Sequence, residues 1–271
     1  MNVHNHDEAG ILRPQGRRRG SFTVAQVPIS DKRAILANHE FFRGLHPSIV
    51  GRLASHARQM HYPAGRRIFS KGDEGLGLMA VLSGVVKISV VSENGREIVL
   101  NLIGANEIFG EIALLDGGAR TADAMALNGC EVLLLDRRDV LPILMEEPII
   151  AIKLLEVVSS RLRRTSEQVE DLSFGDLSVR LAKALLRLAE LQGTLGALRP
   201  RVVITQKELG QTVGLSRERT NWYLRAWQRA GYLSLEKGGC VINDRARLAE
   251  LASRDHDESS FEGAPGSPKS Q

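Results

Sequence analysis

Cysteine is nearly missing from this chain of 271 residues: there are two, Cys130 and Cys240, and they lie far apart. Two distant thiols support neither a disulfide framework nor a four-thiolate metal site, so an iron–sulfur cluster held by this chain alone is not expected. Histidine is also scarce. Of the seven, His4, His6, His39, His46, His56, His61 and His256, only the "HNH" pair has ligand-like spacing, so neither a metal or haem centre nor another cofactor is expected. Long uncharged apolar runs are lacking too: Lys153 interrupts "PIIAIKLLEVV", and nothing reaches the ~20 residues a membrane span needs. The N-terminal "MNVHNHDEAG" is polar, without the apolar core of a secretion signal. These absences point to a soluble, cytoplasmic protein, long enough for two domains at 43% hydrophobic composition.

Charge is present but unevenly placed. The whole chain carries only +4, yet between residues 177 and 250 there are 13 Lys or Arg against 6 Asp or Glu. So basic a block favours a polyanionic partner; a solvated face is the bland alternative, and motifs must decide. Residues 1–33 lack periodicity and carry "RPQGRRRGS", the composition of a disordered basic arm, and residues 253–271 read as a disordered acidic, then Gly/Pro/Ser-rich tail. From about 60 to 136, short alternating or apolar runs are separated by Gly, Asp and Asn, which predicts an antiparallel β sandwich or barrel, in a domain bounded at 34–147. The Asn-Gly pair in "SENGRE" predicts a hairpin. Pro142 reads as a helix break, and Pro148 as the first turn of a long helix spanning 148–172. "LSFGD" then reads as a hinge into a second domain, 173–252.

The long helix carries Leu155, Val158, Leu162, Thr165, Val169 and Leu172 at alternating intervals of three and four. That is the a/d pattern of two helices in a coiled coil. A threonine in such a seam, followed at once by Ser166, costs stability unless something hydrogen-bonds to it. A tolerated polar residue that tunes register is the other reading.

Two constellations carry chemistry. In "IFGEIALLDGGARTADA", a helical turn opening at Gly110 lets a phosphate or ribose approach the backbone. Glu111 can accept hydrogen bonds from sugar hydroxyls, Arg120 can grip phosphate oxygens with its planar fork, and Thr121 adds a hydroxyl. In "ITQKELGQTVGLSRERTNWYLRAWQRAGYL", Thr205 and Ser216 are good N-caps and Gly214 supplies the turn between two helices. Leu209, Val213, Leu215, Leu224 and Trp227 form the contacts between them, so this is a helix-turn-helix with its recognition helix beginning at Ser216. Arg217 suits a guanine edge and Glu218 the amino group of cytosine. "YLSLEKGGCVIND" follows as a two-stranded wing.

The first stretch resembles the phosphate-binding cassette of cyclic-nucleotide-binding domains, through Phe109, Gly110, Glu111, Ala113, Leu114, Leu115, Arg120 and Thr121. The second, through "SRE" at 216–218, resembles the Crp/Fnr family of bacterial transcription regulators, and the likeness spans roughly residues 38–250. The resemblance implies an α+β chain: an N-terminal antiparallel β-roll, a long dimerisation helix and a C-terminal winged helix-turn-helix. It implies a regulator and no enzyme, with cyclic AMP (cAMP) or cyclic GMP (cGMP) as effector, a palindromic double-stranded operator, a homodimer, and RNA polymerase as further partner. The ligand set it implies is Gly110, Glu111, Ile112, Ala113, Arg120, Thr121, Arg161, Thr165 and Ser166, the last two meeting the base across the dimer. The DNA set is Thr205, Gln206, Ser216, Arg217, Glu218, Arg219, Asn221 and Trp222. Trp222 departs from the family, which usually places Arg or Lys there. The rival readings are a Crp/Fnr-type regulator answering to another nucleotide or to none, and a metal- or haem-based sensor or His-using enzyme.

Overall fold

A computed structural model describes residues 23–25, 28–174 and 176–253. The "HNH" stretch and His256 lie outside them. Two antiparallel sheets form the roll. One has the order β1 (Thr23–Ala25), β2 (Arg58–Tyr62), β9 (Cys130–Asp136), β4 (Gly77–Ser83) and β7 (Ile108–Phe109). The other has the order β3 (Arg67–Phe69), β8 (Asp123–Ala126), β5 (Val86–Val91) and β6 (Glu97–Ile103). The hairpin predicted from the Asn-Gly pair joins β5 to β6, with Gly95 at φ 74°. Helices α1 (Ile29–Asn38), α2 (Pro47–His56) and α4 (Arg137–Glu146) close one end over a core that includes Phe42, Leu53, Leu78 and Leu135. Within the roll, α3 (Glu111–Asp116) follows β7.

Order starts earlier than composition suggested: β1 and the first residues of α1 fall inside the stretch read as a structureless arm. β1 adds an edge strand to β2, and Leu36 anchors α1 in the core. Pro142 does not break a helix either; it lies inside α4, whose Val140, Ile143 and Leu144 are buried on the same face. Packing of three apolar side chains outweighs one missing backbone donor.

Helix α5 (Pro148–Phe174) runs one turn or less beyond the predicted span. Its first turns are buried through Ile150 and Leu154, whereas Leu155, Leu162 and Val169, at seven-residue spacing, are exposed. Val158 is half-buried and Thr165 exposed; the side chain of Leu172 lies outside the described residues.

The second domain is built from α6 (Leu177–Leu191), α7 (Gln206–Val213), α8 (Arg217–Arg229), α9 (Arg245–Ala252) and a three-stranded sheet ordered β10 (Arg201–Val203), β12 (Gly239–Ile242) and β11 (Leu233–Glu236). The wing thus gains β10 as a third strand. Its core is continuous with the roll: Val85, Val99 and Leu102 share one apolar cluster with Leu185, Leu209 and Val213, because α7 packs on β6. Lys87, buried in the same region, pairs with Glu97 at 2.7 Å. Burial would raise the Glu97 pKa, but hydrogen bonds from Lys87, Ser89 and Gln211 of α7 outweigh it and hold the carboxyl below its ordinary range. No described helix is long and apolar enough to cross a membrane.

Candidate nucleotide pocket and DNA-reading surface

The turn into α3 places Gly110 in the left-handed region at φ 82°, where a Cβ would collide with the Arg120 guanidinium and crowd the Gly77 carbonyl. Glycine is required there by close approach as well as by conformation. Arg120 is buried; its Nη1 donates to the Gly110 carbonyl at 3.0 Å and its Nη2 to that of Gly77 at 2.9 Å. The guanidinium carbon sits 4.3 Å from the centroid of the Phe69 ring. Burial lowers the Arg120 pKa, while the charges of Glu111 and Asp73 oppose the shift. The Arg120 Nε is buried and has no hydrogen-bond partner. Buried donors are normally satisfied, so the site holds a cation with an unfilled donor.

Glu111 is 2% exposed and forms an ion pair with Arg161 of α5, which also donates to the Ile108 carbonyl. The expected sugar-binding carboxylate is thereby tied to the long helix. Gly110, Glu111, Ile112, Ala113, Arg120, Thr121 and Arg161 line one cavity together with Phe69, Ile88 and Phe109; its volume is about 60 Å³. Thr165 and Ser166 do not line it. They lie one turn further along α5, exposed, and their hydroxyls donate to the carbonyls of Arg161 and Leu162 at 2.9 and 3.0 Å.

Sequence reasoning missed Glu107. In the turn between β6 and β7 its carboxylate accepts from the Gly104 N–H, and it pairs with Arg164 of α5 at 3.3 Å and with Arg187 of α6 at 3.2 Å. One side chain thus joins the roll, the long helix and the DNA-reading domain. Its partners lie 57 and 80 residues away, and no local pattern announces such pairs.

In the second domain Thr205 forms a capping box with Glu208, and Ser216 caps α8 by accepting from the Arg219 N–H. Gly214 ends α7 at φ 71°. Leu209, Val213, Leu215, Leu224 and Trp227 are all buried, as their spacing implied. Thr220 is buried as well, leaving Arg217, Glu218, Arg219 and Trp222 exposed and Asn221 half-exposed. Asn221 accepts from Arg225 at 3.3 Å. Gln206 is the first residue of α7 and joins Thr205 and Arg217 around a concavity bounded by the wing. Both cysteines are buried thiols with raised pKa values, Cys130 to about 11 and Cys240 to about 12, because burial disfavours the thiolate. Among the described residues no group of three or more His, Cys, Asp or Glu could hold a metal.

A roll with this cassette, joined by a long helix to a winged helix-turn-helix, defines a cyclic-nucleotide-responsive DNA-binding regulator rather than an enzyme. A model of the cyclic nucleotide-binding domain matches residues 59–147, and one of the Crp-like helix-turn-helix domain matches 179–251. The chain is 37% identical over 220 residues to the CRP-like cAMP-activated global transcriptional regulator of Mycobacterium tuberculosis, covering 80% of this chain and 98% of that protein. A solved CRP/FNR-family transcriptional regulator from Thermus thermophilus superposes with a TM-score of 0.62 at 27% identity, over 72% of this chain and 98% of that one. The c-di-GMP-responsive regulator CLP of Xanthomonas campestris shares the fold, with a TM-score of 0.63 at 24% identity over 73% and 99% of the two chains. The chain belongs to the Crp/Fnr family of transcription regulators.

Proposed function

We propose that the effector is a cyclic nucleotide, cAMP by the likeness to the mycobacterial regulator, and that the protein acts as a cytoplasmic homodimer on palindromic DNA together with RNA polymerase. The observation that carries the ligand reading is the unfilled buried Nε of Arg120 beside Gly110 and Glu111. Arg120 would neutralise the cyclic phosphate, Gly110 would let the sugar approach, and Glu111 would accept from its hydroxyls. The donor set fits such a ligand. Arg161 already occupies the Glu111 carboxylate, so sugar hydroxyls bound there would displace it, and displacing it would move α5.

The same movement reaches DNA through two routes. Leu155, Leu162 and Val169 form the exposed face on which a second copy would pack. Thr165 and Ser166 adjoin that face, where their hydroxyls can leave the helix carbonyls and meet a base. Glu107 meanwhile holds Arg164 and Arg187, so a shift of α5 is felt by α6. Arg217, Glu218, Arg219, Asn221 and Trp222 then face base edges in the major groove, while Thr205, Gln206 and Ser216 adjoin the phosphates. Thr121 also lines the cavity, which makes a guanine nucleotide the second reading.

Calorimetric titration of the full chain with cAMP and with cGMP tests this. Saturable binding of one nucleotide per chain, with cAMP preferred, is expected. Binding of neither would overturn the effector assignment, and preference for cGMP would transfer it to the second reading.

A further inference from the structure

Trp222 is the one large apolar residue on the outward arc of α8. At about 100° per residue, Asn221, Arg225, Glu218 and Trp222 fall on the side of the helix away from the buried Thr220, Leu224 and Trp227, and Arg217 lies at the edge of that arc, beside Leu224. Its neighbours on the arc are charged or amide-bearing, and at 39% exposure its indole stands out among them. A lone exposed tryptophan elsewhere would need no explanation. This one is fixed in place: it meets Tyr223 edge to face at 4.9 Å and 87°, and Tyr223 in turn lies 6.5 Å from the buried Trp227. A short aromatic chain therefore runs from the domain core to the surface of the recognition helix. It holds a rigid apolar plate where a flexible polar reader would be expected.

An indole offers one N–H donor and no acceptor, so it cannot make the paired hydrogen bonds by which Arg, Asn or Glu distinguish bases. The major groove presents one apolar feature, the 5-methyl group of thymine, which apolar and aromatic side chains read by contact. Trp222 lies five residues beyond Arg217, about 7.5 Å along the helix axis, which is about two base-pair rises at 3.4 Å each. We infer that Trp222 is a specificity-determining residue that selects a thymine, through its methyl group, within about two to three base pairs of the position read by Arg217. The inference rests on the DNA-reading arrangement proposed above and names what one of its positions reads.

The test begins with an operator obtained by binding-site selection with the full-length protein. Each thymine of the half-site is then replaced by deoxyuracil, which deletes the methyl and leaves every hydrogen-bonding group intact. Burying one methyl-sized group is worth about 0.8 kcal/mol, a factor of about four. At one position the dissociation constant should rise about fourfold when one half-site is changed and about 15-fold when both are. Trp222→Ala should bind the thymine operator with a comparable loss and be indifferent to uracil at that position, and Trp222→Phe should retain part of the discrimination. Thermal unfolding of both variants at the parental temperature confirms that the fold is intact. The inference is overturned if uracil at every thymine leaves the parent unaffected, or if Trp222→Ala keeps the uracil penalty. Failure to select any operator would overturn the base-reading surface as a whole, which separates the two ideas.

Discussion

Replacing Arg120 by alanine removes a buried cation from the cassette, and the consequences for stability and for binding can be separated. In the structure Arg120 satisfies the carbonyls of Gly77 and Gly110. Hydrogen bonds from a charged donor contribute about 1.5 to 3 kcal/mol each, so losing both destabilises the fold by about 3 kcal/mol or more. In the complex the same guanidinium is assigned to the cyclic phosphate. Leaving that charge unpaired in a buried site costs about 3 kcal/mol or more, a loss of about 100-fold or more in affinity at about 1.4 kcal/mol per decade. Arg120→Lys keeps the charge but not the fork, so it should fold better than the alanine variant and still bind cAMP at least about tenfold more weakly than the parent. The assay is calorimetric titration with cAMP alongside thermal unfolding. An Arg120→Lys protein that unfolds earlier than the parent yet binds cAMP with parental affinity would show that Arg120 only scaffolds Gly77 and Gly110, and would refute the phosphate role.

Further outcomes follow from the other sites. Arg217→Ala should relax preference at one guanine of each half-site by about 1 to 3 kcal/mol while leaving other positions unchanged, read by competition with single-substitution operators. Thr165→Leu makes the α5 seam continuously apolar, so it should dimerise without ligand, bind operator partly without nucleotide and lose adenine-over-guanine discrimination; normal dimerisation with full nucleotide dependence would make Thr165 a tolerated seam residue. Glu107→Gln should weaken its ties to Arg164 and Arg187 and reduce the factor by which nucleotide changes operator affinity, with nucleotide binding to the isolated protein little altered. The depressed pKa of Glu97 gives stability that is present above its unfolded value and lost as pH falls through its lower folded value. The acid-side fall in thermal stability should therefore shrink in Glu97→Gln.

Elements whose signals are local were legible in the sequence. The helix-turn-helix contacts came from spacing alone because α7 and α8 bury one face each against the other. The N-caps Thr205 and Ser216 and the Asn-Gly hairpin depend on the chemistry of a few adjacent residues. The cassette was legible because Gly110, Glu111 and Arg120 sit within one short segment. What was hidden depends on distant partners. Val99 and Leu102 are three apart in β6, so strict alternation would put them on opposite faces; a bulge at Leu100 turns both into the cluster that α7 covers, and no local pattern shows it. Likewise nothing near Arg161 marks its pairing with Glu111, fifty residues earlier. Pro142 was misjudged because tertiary packing overrode a local breaker.

The most direct measurement is operator binding by the full-length protein, followed by fluorescence anisotropy at fixed salt with and without saturating cAMP, paired with cAMP titration of the protein with and without operator. Tightening of DNA binding by about 5- to 150-fold is expected, with cAMP affinity raised by the same factor when operator is present, since the two couplings are thermodynamically one. Equal operator affinity at zero and saturating nucleotide, in a protein that demonstrably binds both, would contradict a pocket that controls the DNA-reading domain.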